Sequence, residues 1–413
     1  MRSRFLAAAL TVAASVSLAG DRVTLTGKVT DTLGNPLEDA TVMIYHAGVK
    51  RGYSTYCPSC YADCGKRAVT NRGGSFTFKS VDPNLWFELL VVRNGYMAAF
   101  VERVDPARGS ATAALVPRAA VDDAARVVRG RVVDTHGRPL RDVVVLPQGV
   151  ETVSAGCIYF TTNGLEPVAV TNAKGEFELA YKEKAKGIML RVEARGMATR
   201  FIAVPTGAEP KNITVSEGAV IRGRLVHRGK PVAGAEIGLI AQDTGAFGMH
   251  LKITGNPYPE VRIGTLADGS FVIPNVPVPI EWYLYGTMES TAAQGATERQ
   301  KCATRRDSEI VDVGDVQILQ GHRFRGKVTL SDGASMADGM QATICFGDLR
   351  GDSQTAPIDL QGRFEFSGLP TGTYAIFTSV KGYRMRANPR AIETTIDRDI
   401  GDFEIMLDPV VRQ

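Results

Sequence analysis

Three cysteines and three tyrosines fall within residues 53–64: Tyr53, Tyr56, Cys57, Cys60, Tyr61 and Cys64. Three chemistries are open to these thiols. In an oxidising compartment a disulfide would staple the segment. A metal site would need a fourth ligand, and His46 is the only one nearby. Cys57-Pro58-Ser59-Cys60 has the spacing of a redox dithiol, but that chemistry wants its first cysteine at a helix N-terminus, which a loop between strands does not supply. Cys157, followed by Tyr159 and Phe160, stands about one hundred residues further on in a corresponding place: Cys57 is 13 residues before Thr70, and Cys157 is 14 before Thr171. The expectation is at least one disulfide among Cys57, Cys60 and Cys64, with the third thiol free or joined to Cys157. Cys302 and Cys345 have no nearby partner. Tyrosine offers a flat apolar face and a hydroxyl, which suits peptide or carbohydrate contacts. Tyr53, Tyr56, Tyr61, Tyr159 and Phe160 are therefore the candidate binding residues.

Catalytic patterns do not emerge elsewhere. The five histidines, at 46, 136, 227, 250 and 322, are never three or four residues apart, and none heads a His-x-x-Glu, so no zinc-peptidase ligand set forms. Neither a Gly-x-Ser-x-Gly elbow nor a Ser-x-x-Lys pair occurs. Gly351-Asp352-Ser353 reads as a surface turn. Asp397, Asp399 and Asp402 lack calcium-loop spacing and read as a solvated edge. No catalytic residue, metal or cofactor is assigned, and the chain reads as no enzyme. With 48 basic and 44 acidic residues it has no electrostatic footprint for nucleic acid.

The elements that would position the cysteine segment come from a fourfold repeat. A glycine, a short alternating stretch, a second glycine and then a proline recur from Gly27 to Pro36, Gly130 to Pro139 and Gly223 to Pro231. A fourth copy starts at Gly326, with Ser335 in the proline position. A second pattern keeps the same phase: Thr70-Gly74-Phe76, Thr171-Gly175-Phe177, Thr265-Gly269-Phe271 and Ile358-Gly362-Phe364. Alternation such as Val23-Thr24-Leu25-Thr26 marks half-buried strands, and Gly, Pro, Asn and Asp mark the turns between them. Short strands with frequent turns and no sustained helical period indicate antiparallel β-sandwiches. Trp86, Trp282 and Tyr374 follow the hairpin aromatics by 10 or 11 residues and are expected in one shared slot. Between the second strand and the threonine, repeats one to three carry insertions of 24, 23 and 23 residues, against 12 in repeat four. Such lengths point to functional loops or to a local extra hairpin.

Residues 1–19 have the form of a secretory signal peptide: Arg2 and Arg4, an apolar run from Phe5 to Val16, then Ser17-Leu18-Ala19. Asp21 stands where a lipoprotein would need cysteine, and no later run is long enough to span a membrane. The expected location is extracytoplasmic, secreted or periplasmic.

The run Gly27, Val29, Asp31, Gly34, Pro36, Leu37, Ala40, Val42, with Leu369-Pro370-Thr371-Gly372-Thr373-Tyr374 in the last repeat, resembles the carboxypeptidase regulatory-like domain. That family is related to collagen-adhesin B-type repeats. The resemblance implies an all-β chain of four tandem Greek-key, prealbumin-like β-sandwich domains at 20–118, 127–217, 219–318 and 321–409. It implies little about function, since such modules serve as spacers, adhesion units and accessories to enzymes. The expected function is a non-catalytic binding or scaffold protein with a protein or carbohydrate ligand. The alternative is a carbohydrate- or peptide-binding accessory subunit of an exported enzyme.

Overall fold

The computed structural model describes residues 21–152, 158–159, 162–241, 260–337, 339–347, 352–386 and 391–410. The leader, Cys157 and Phe160 lie outside these residues, as does the side chain of Tyr159.

The fold is all-β, and among the described residues the strands form eight sheets, two to each repeat. In repeat one the strand Val23–Asp31 lies between Ser75–Val81 and Ser110–Leu115. The facing sheet runs Arg67–Val69, Thr41–Val49, Leu85–Val92, Ala99–Val104. Between the two sheets packs one apolar cluster that includes Leu25, Val29, Ile44, Phe87 and Leu115. Equivalent clusters fill the other repeats.

The phased sequence patterns have a shared cause. Gly27, Gly130, Gly223 and Gly326 sit in register opposite Phe76, Phe177, Phe271 and Phe364. Each phenylalanine ring reaches over its glycine, and a Cβ there would come closer than 3.0 Å to the ring. The hairpin glycines 74, 175, 269 and 362 have φ between 73° and 80° and lie against the carbonyl oxygen of the neighbouring strand, so any side chain would be strained and would clash. Each threonine ties two strands. Thr70 Oγ1 donates to the Leu37 carbonyl at 2.6 Å and accepts from the Ala40 amide at 2.9 Å. Thr171 and Thr265 repeat both bonds. In repeat four Ile358 is buried instead, and only its backbone amide reaches across, to Met340.

Two expectations need correction. One sheet of each repeat is antiparallel as expected, but the other is mixed: the last strand of each repeat pairs parallel with the first. Hairpin links force antiparallel neighbours, whereas this strand arrives by crossing from the other sheet and is free of that constraint. Nor do the three large aromatics share a slot. Trp282 and Tyr374 are in the core, but Trp86 faces outward with Lys50 and Arg103 over its ring at 5.2 and 5.1 Å, and Phe87 takes the buried place. Phe87, like Trp282, follows its hairpin phenylalanine by 11 residues, and alternation along Leu85–Val92 then puts Trp86 on the outer face.

The repeats also pack on one another. Met43, Leu90 and Ala98 of repeat one form an apolar cluster with Val144 and Val168 of repeat two. Arg118 holds Glu166 with two hydrogen bonds and reaches Glu178 as well. Asn275 of repeat three donates to the Gly196 and Glu217 carbonyls. The short helix Met288–Thr291 of repeat three buries Met288 in the core of repeat four.

Candidate functional site: the cysteine loop and the cleft beside it

Residues 50–66 form a compact loop rather than a hairpin. The Pro58 carbonyl accepts from Ala47 N at 2.8 Å, and Ile44 exchanges bonds with Gly65 and Lys66. Asp63, almost fully buried, is paired with Arg22 and Lys66 and accepts from the Asp82 amide, so its charge is compensated on three sides. Cys57 and Cys60 are joined by a disulfide across 5.0 Å between Cα atoms. This is the local staple expected from the sequence. It commits the Cys57 and Cys60 sulfurs to each other and so removes two of the thiolates a metal site would use. Cys64 is a buried free thiol that donates to the Pro58 carbonyl, and burial pushes its pKa up to about 11. His46 is turned away to Glu88, at 2.9 Å. Among the described residues no group of three or more His, Cys, Asp or Glu could hold a metal ion.

The structure separates the candidate tyrosines. Tyr56 is 58% exposed. Tyr61 is only 8% exposed, belongs to the core of repeat one and is hydrogen-bonded to Ser54. Tyr61 therefore offers no free face, contrary to its expected place on a binding surface; a ring beside Cys64 at the base of the loop is needed for packing. Tyr53 is half-buried, and its carbonyl lies against Gly264 of repeat three, whose amide donates to the Ser54 carbonyl.

Repeats one, two and three together line a cleft with a volume of about 690 Å³. Cys57, Pro58 and Ser59 form part of its wall, and five arginines line it: Arg67, Arg141, Arg191, Arg195 and Arg262. Its three carboxylates are already engaged. Asp142 takes Arg67 at 2.5 Å and Arg141 at 2.8 Å. Glu193 lies 2.9 Å from Arg191 and accepts from Tyr45 OH at 2.6 Å, and burial together with this carboxylate holds the Tyr45 hydroxyl firmly protonated. Glu260 takes Arg262 at 3.0 Å and the Tyr285 hydroxyl. Arg195 has no carboxylate partner among the described residues; its guanidinium lies over Gly65, where φ is 86°. Sequence reasoning missed these arginines. The available signal was the strand-end motif Ala194-Arg195-Gly196-Met197, which matches Asn94-Gly95-Tyr96 and Lys381-Gly382-Tyr383, but nothing in it places Arg195 beside another repeat.

Asp352 is also misplaced by sequence. It is not on a surface turn but 3% exposed between repeats three and four, where both carboxylate oxygens accept from Met288 N at 2.8 and 2.9 Å.

A family model described as a dioxygenase matches residues 7–91, about a fifth of the chain. No curated protein matches. Among solved structures, the Bacillus anthracis TIE protein is 11% identical, with 94% of this chain and 73% of that one covered and a TM-score of 0.19. A streptococcal ancillary pilin is 11% identical, with 69% and 100% covered and a TM-score of 0.21. The minor pilin GBS52 of Streptococcus agalactiae is 14% identical, with 46% and 97% covered and a TM-score of 0.21. At these identities and TM-scores the superpositions bear on neither function nor partner. No helix among the described residues is long and apolar enough to cross a membrane.

Proposed function

We propose that the chain is a non-catalytic, extracytoplasmic binding or scaffold protein made of four carboxypeptidase regulatory-like domains, at 20–118, 127–217, 219–318 and 321–409. The observation that carries this reading is the cleft. Its wall is assembled from three repeats at once, and each of its carboxylates is spent on an arginine rather than left free to act on a reacting atom. The disulfide-stapled loop fits an oxidising compartment. Hydrolase, peptidase and dioxygenase assays on the purified chain are expected to show no turnover. Turnover abolished by one substitution in this chain would overturn the reading.

The accessory-subunit reading keeps one favourable observation, the exposed ring of Tyr56 packed at 5.4 Å from Tyr61. A neutral-glycan array tests it: binding lost in Tyr56→Ala supports a sugar contact at the loop, and unchanged binding removes it.

A further inference from the structure

We infer that the three-repeat cleft binds an acidic peptide segment, with the Arg195 guanidinium as its principal carboxylate contact. This rests on the binding reading above and names the ligand class. Five guanidinium groups against three carboxylates leave the lining positive. The carboxylates are each held by an arginine and, for Glu193 and Glu260, also by a tyrosine hydroxyl, so they do not neutralise Arg195. Arg67 and Arg141 share the single carboxylate of Asp142 and so supply the second positive charge in excess. A guanidinium binds a carboxylate through two parallel N–H bonds, and a half-enclosed wall strengthens that attraction over its value in open water.

The same wall disfavours sugar. Stacking needs a free aromatic face, and the one large ring lining the cleft, Tyr45, is packed at 4.0 Å from His46 and 5.4 Å from Phe100 with its hydroxyl bound to Glu193. Pro58 and Val261, which keep exposed surface, add apolar area to the wall instead. An extended peptide with carboxylate and aliphatic side chains matches that mixture of basic and apolar surface, and 690 Å³ accommodates a few residues of it.

The test uses the full chain and a dye-labelled hexapeptide alternating glutamate and leucine, read by fluorescence polarisation. A glutamine-for-glutamate peptide and a short oligouronate serve as the other arms. The glutamate peptide is expected to bind, to weaken with added salt, and to weaken roughly tenfold or more in Arg195→Gln, the loss of one charge-assisted contact. Arg195 is exposed, so the variant should fold, and unchanged thermal unfolding checks that. Arg141→Gln, which leaves Asp142 paired with Arg67, provides a second variant from the same wall. Equal binding of the glutamine peptide, or full binding in both variants, overturns the inference. Binding of the oligouronate without the glutamate peptide assigns the site to acidic sugar and overturns it too. Absence of binding in every arm ends this inference alone, whereas catalytic turnover would end the binding reading beneath it.

Discussion

Two of the places where repeats meet treat charge in opposite ways. In the cleft of repeats one to three, carboxylates and guanidinium groups pair in view of water, as with Arg67 and Asp142, whose side chains are 37% and 23% exposed. At the junction of repeats three and four a single carboxylate, Asp352, is sealed against a backbone amide. Arg299 lies nearby but spreads its guanidinium over Phe346 at 3.9 Å and Tyr285 at 5.0 Å, and its Nη2 is buried without a hydrogen bond. The wet cleft can exchange its partners for a ligand at little cost. The dry junction cannot, and it should respond to mutation and to pH instead.

The largest effect is expected from Met288→Ala. Met288 belongs to repeat three but is 1% exposed in the core of repeat four beside Phe324 and Tyr374. Deleting it should cost about 2–5 kcal/mol, as for other buried large-to-small changes. Chemical denaturation should show repeat four losing its cooperative coupling to the rest. A cost under about 1 kcal/mol would mean that the junction is not the dry interface described.

The next effect is pH-dependent. Burial is the main cause that raises the Asp352 pKa to about 7; the Met288 amide and Arg299 oppose it, and Glu260 adds to it. Tyr285, Tyr374 and Cys345 also face this carboxylate. A folded pKa above the unfolded one means that the folded state prefers the protonated form. Stability from this group is full below about pH 4 and is lost as pH rises through 7. Between pH 5 and pH 8 the loss should be about 2–3 kcal/mol. Asp352→Asn should remove that slope while keeping a carbonyl oxygen for the Met288 amide. A wild-type chain and an Asn variant with parallel pH profiles would contradict the buried-carboxylate account.

What the sequence made legible, and what it did not, follows the same division. Gly27 and Phe76, Thr70 and Gly74 are visible as patterns because each answers a local demand: a ring over a missing side chain, a left-handed turn, a hydroxyl tying two strands. These demands recur in each repeat with few exceptions, so they leave a period. Asp352, Arg195 and the burial of Tyr61 leave none. Asp352 answers to Met288, 64 residues earlier, and Arg195 to Gly65 in another repeat. An arginine facing a cleft and one facing water are the same letter. The disulfide was legible as a set of three thiols, but choosing Cys57 with Cys60 needed the loop geometry that buries Cys64.

A smaller effect on the cleft side should come from Cys57→Ser with Cys60→Ser. Closing so short a loop restricts the unfolded chain by about 2 kcal/mol on the chain-entropy model. Reductant should reproduce the shift in wild type and leave the double variant unchanged. Thiol titration of the native protein should leave Cys64 slow to react, because it is buried and its thiol is held protonated near neutral pH. Rapid labelling of Cys64 before unfolding would show that the loop is looser than its hydrogen bonds imply.

The smallest effect should come from Arg67→Met, and it tests the wet side of the comparison most directly. Arg67 joins repeat one to Asp142 of repeat two, so a structural drawing makes it look like a strut. Both side chains reach water, however, and Asp142 keeps a second cation in Arg141 at 2.8 Å. Solvent screening and side-chain entropy leave such pairs worth about 0–1 kcal/mol. The methionine keeps much of the apolar stem that Arg67 lays on the sheet. Unfolding free energy should therefore change by less than about 0.5 kcal/mol, and high salt should weaken wild type by no more than that. If Arg67→Met instead cost as much as Met288→Ala, the cleft would be as dry as the Asp352 junction, and its arginines would be holding the repeats together rather than facing a ligand.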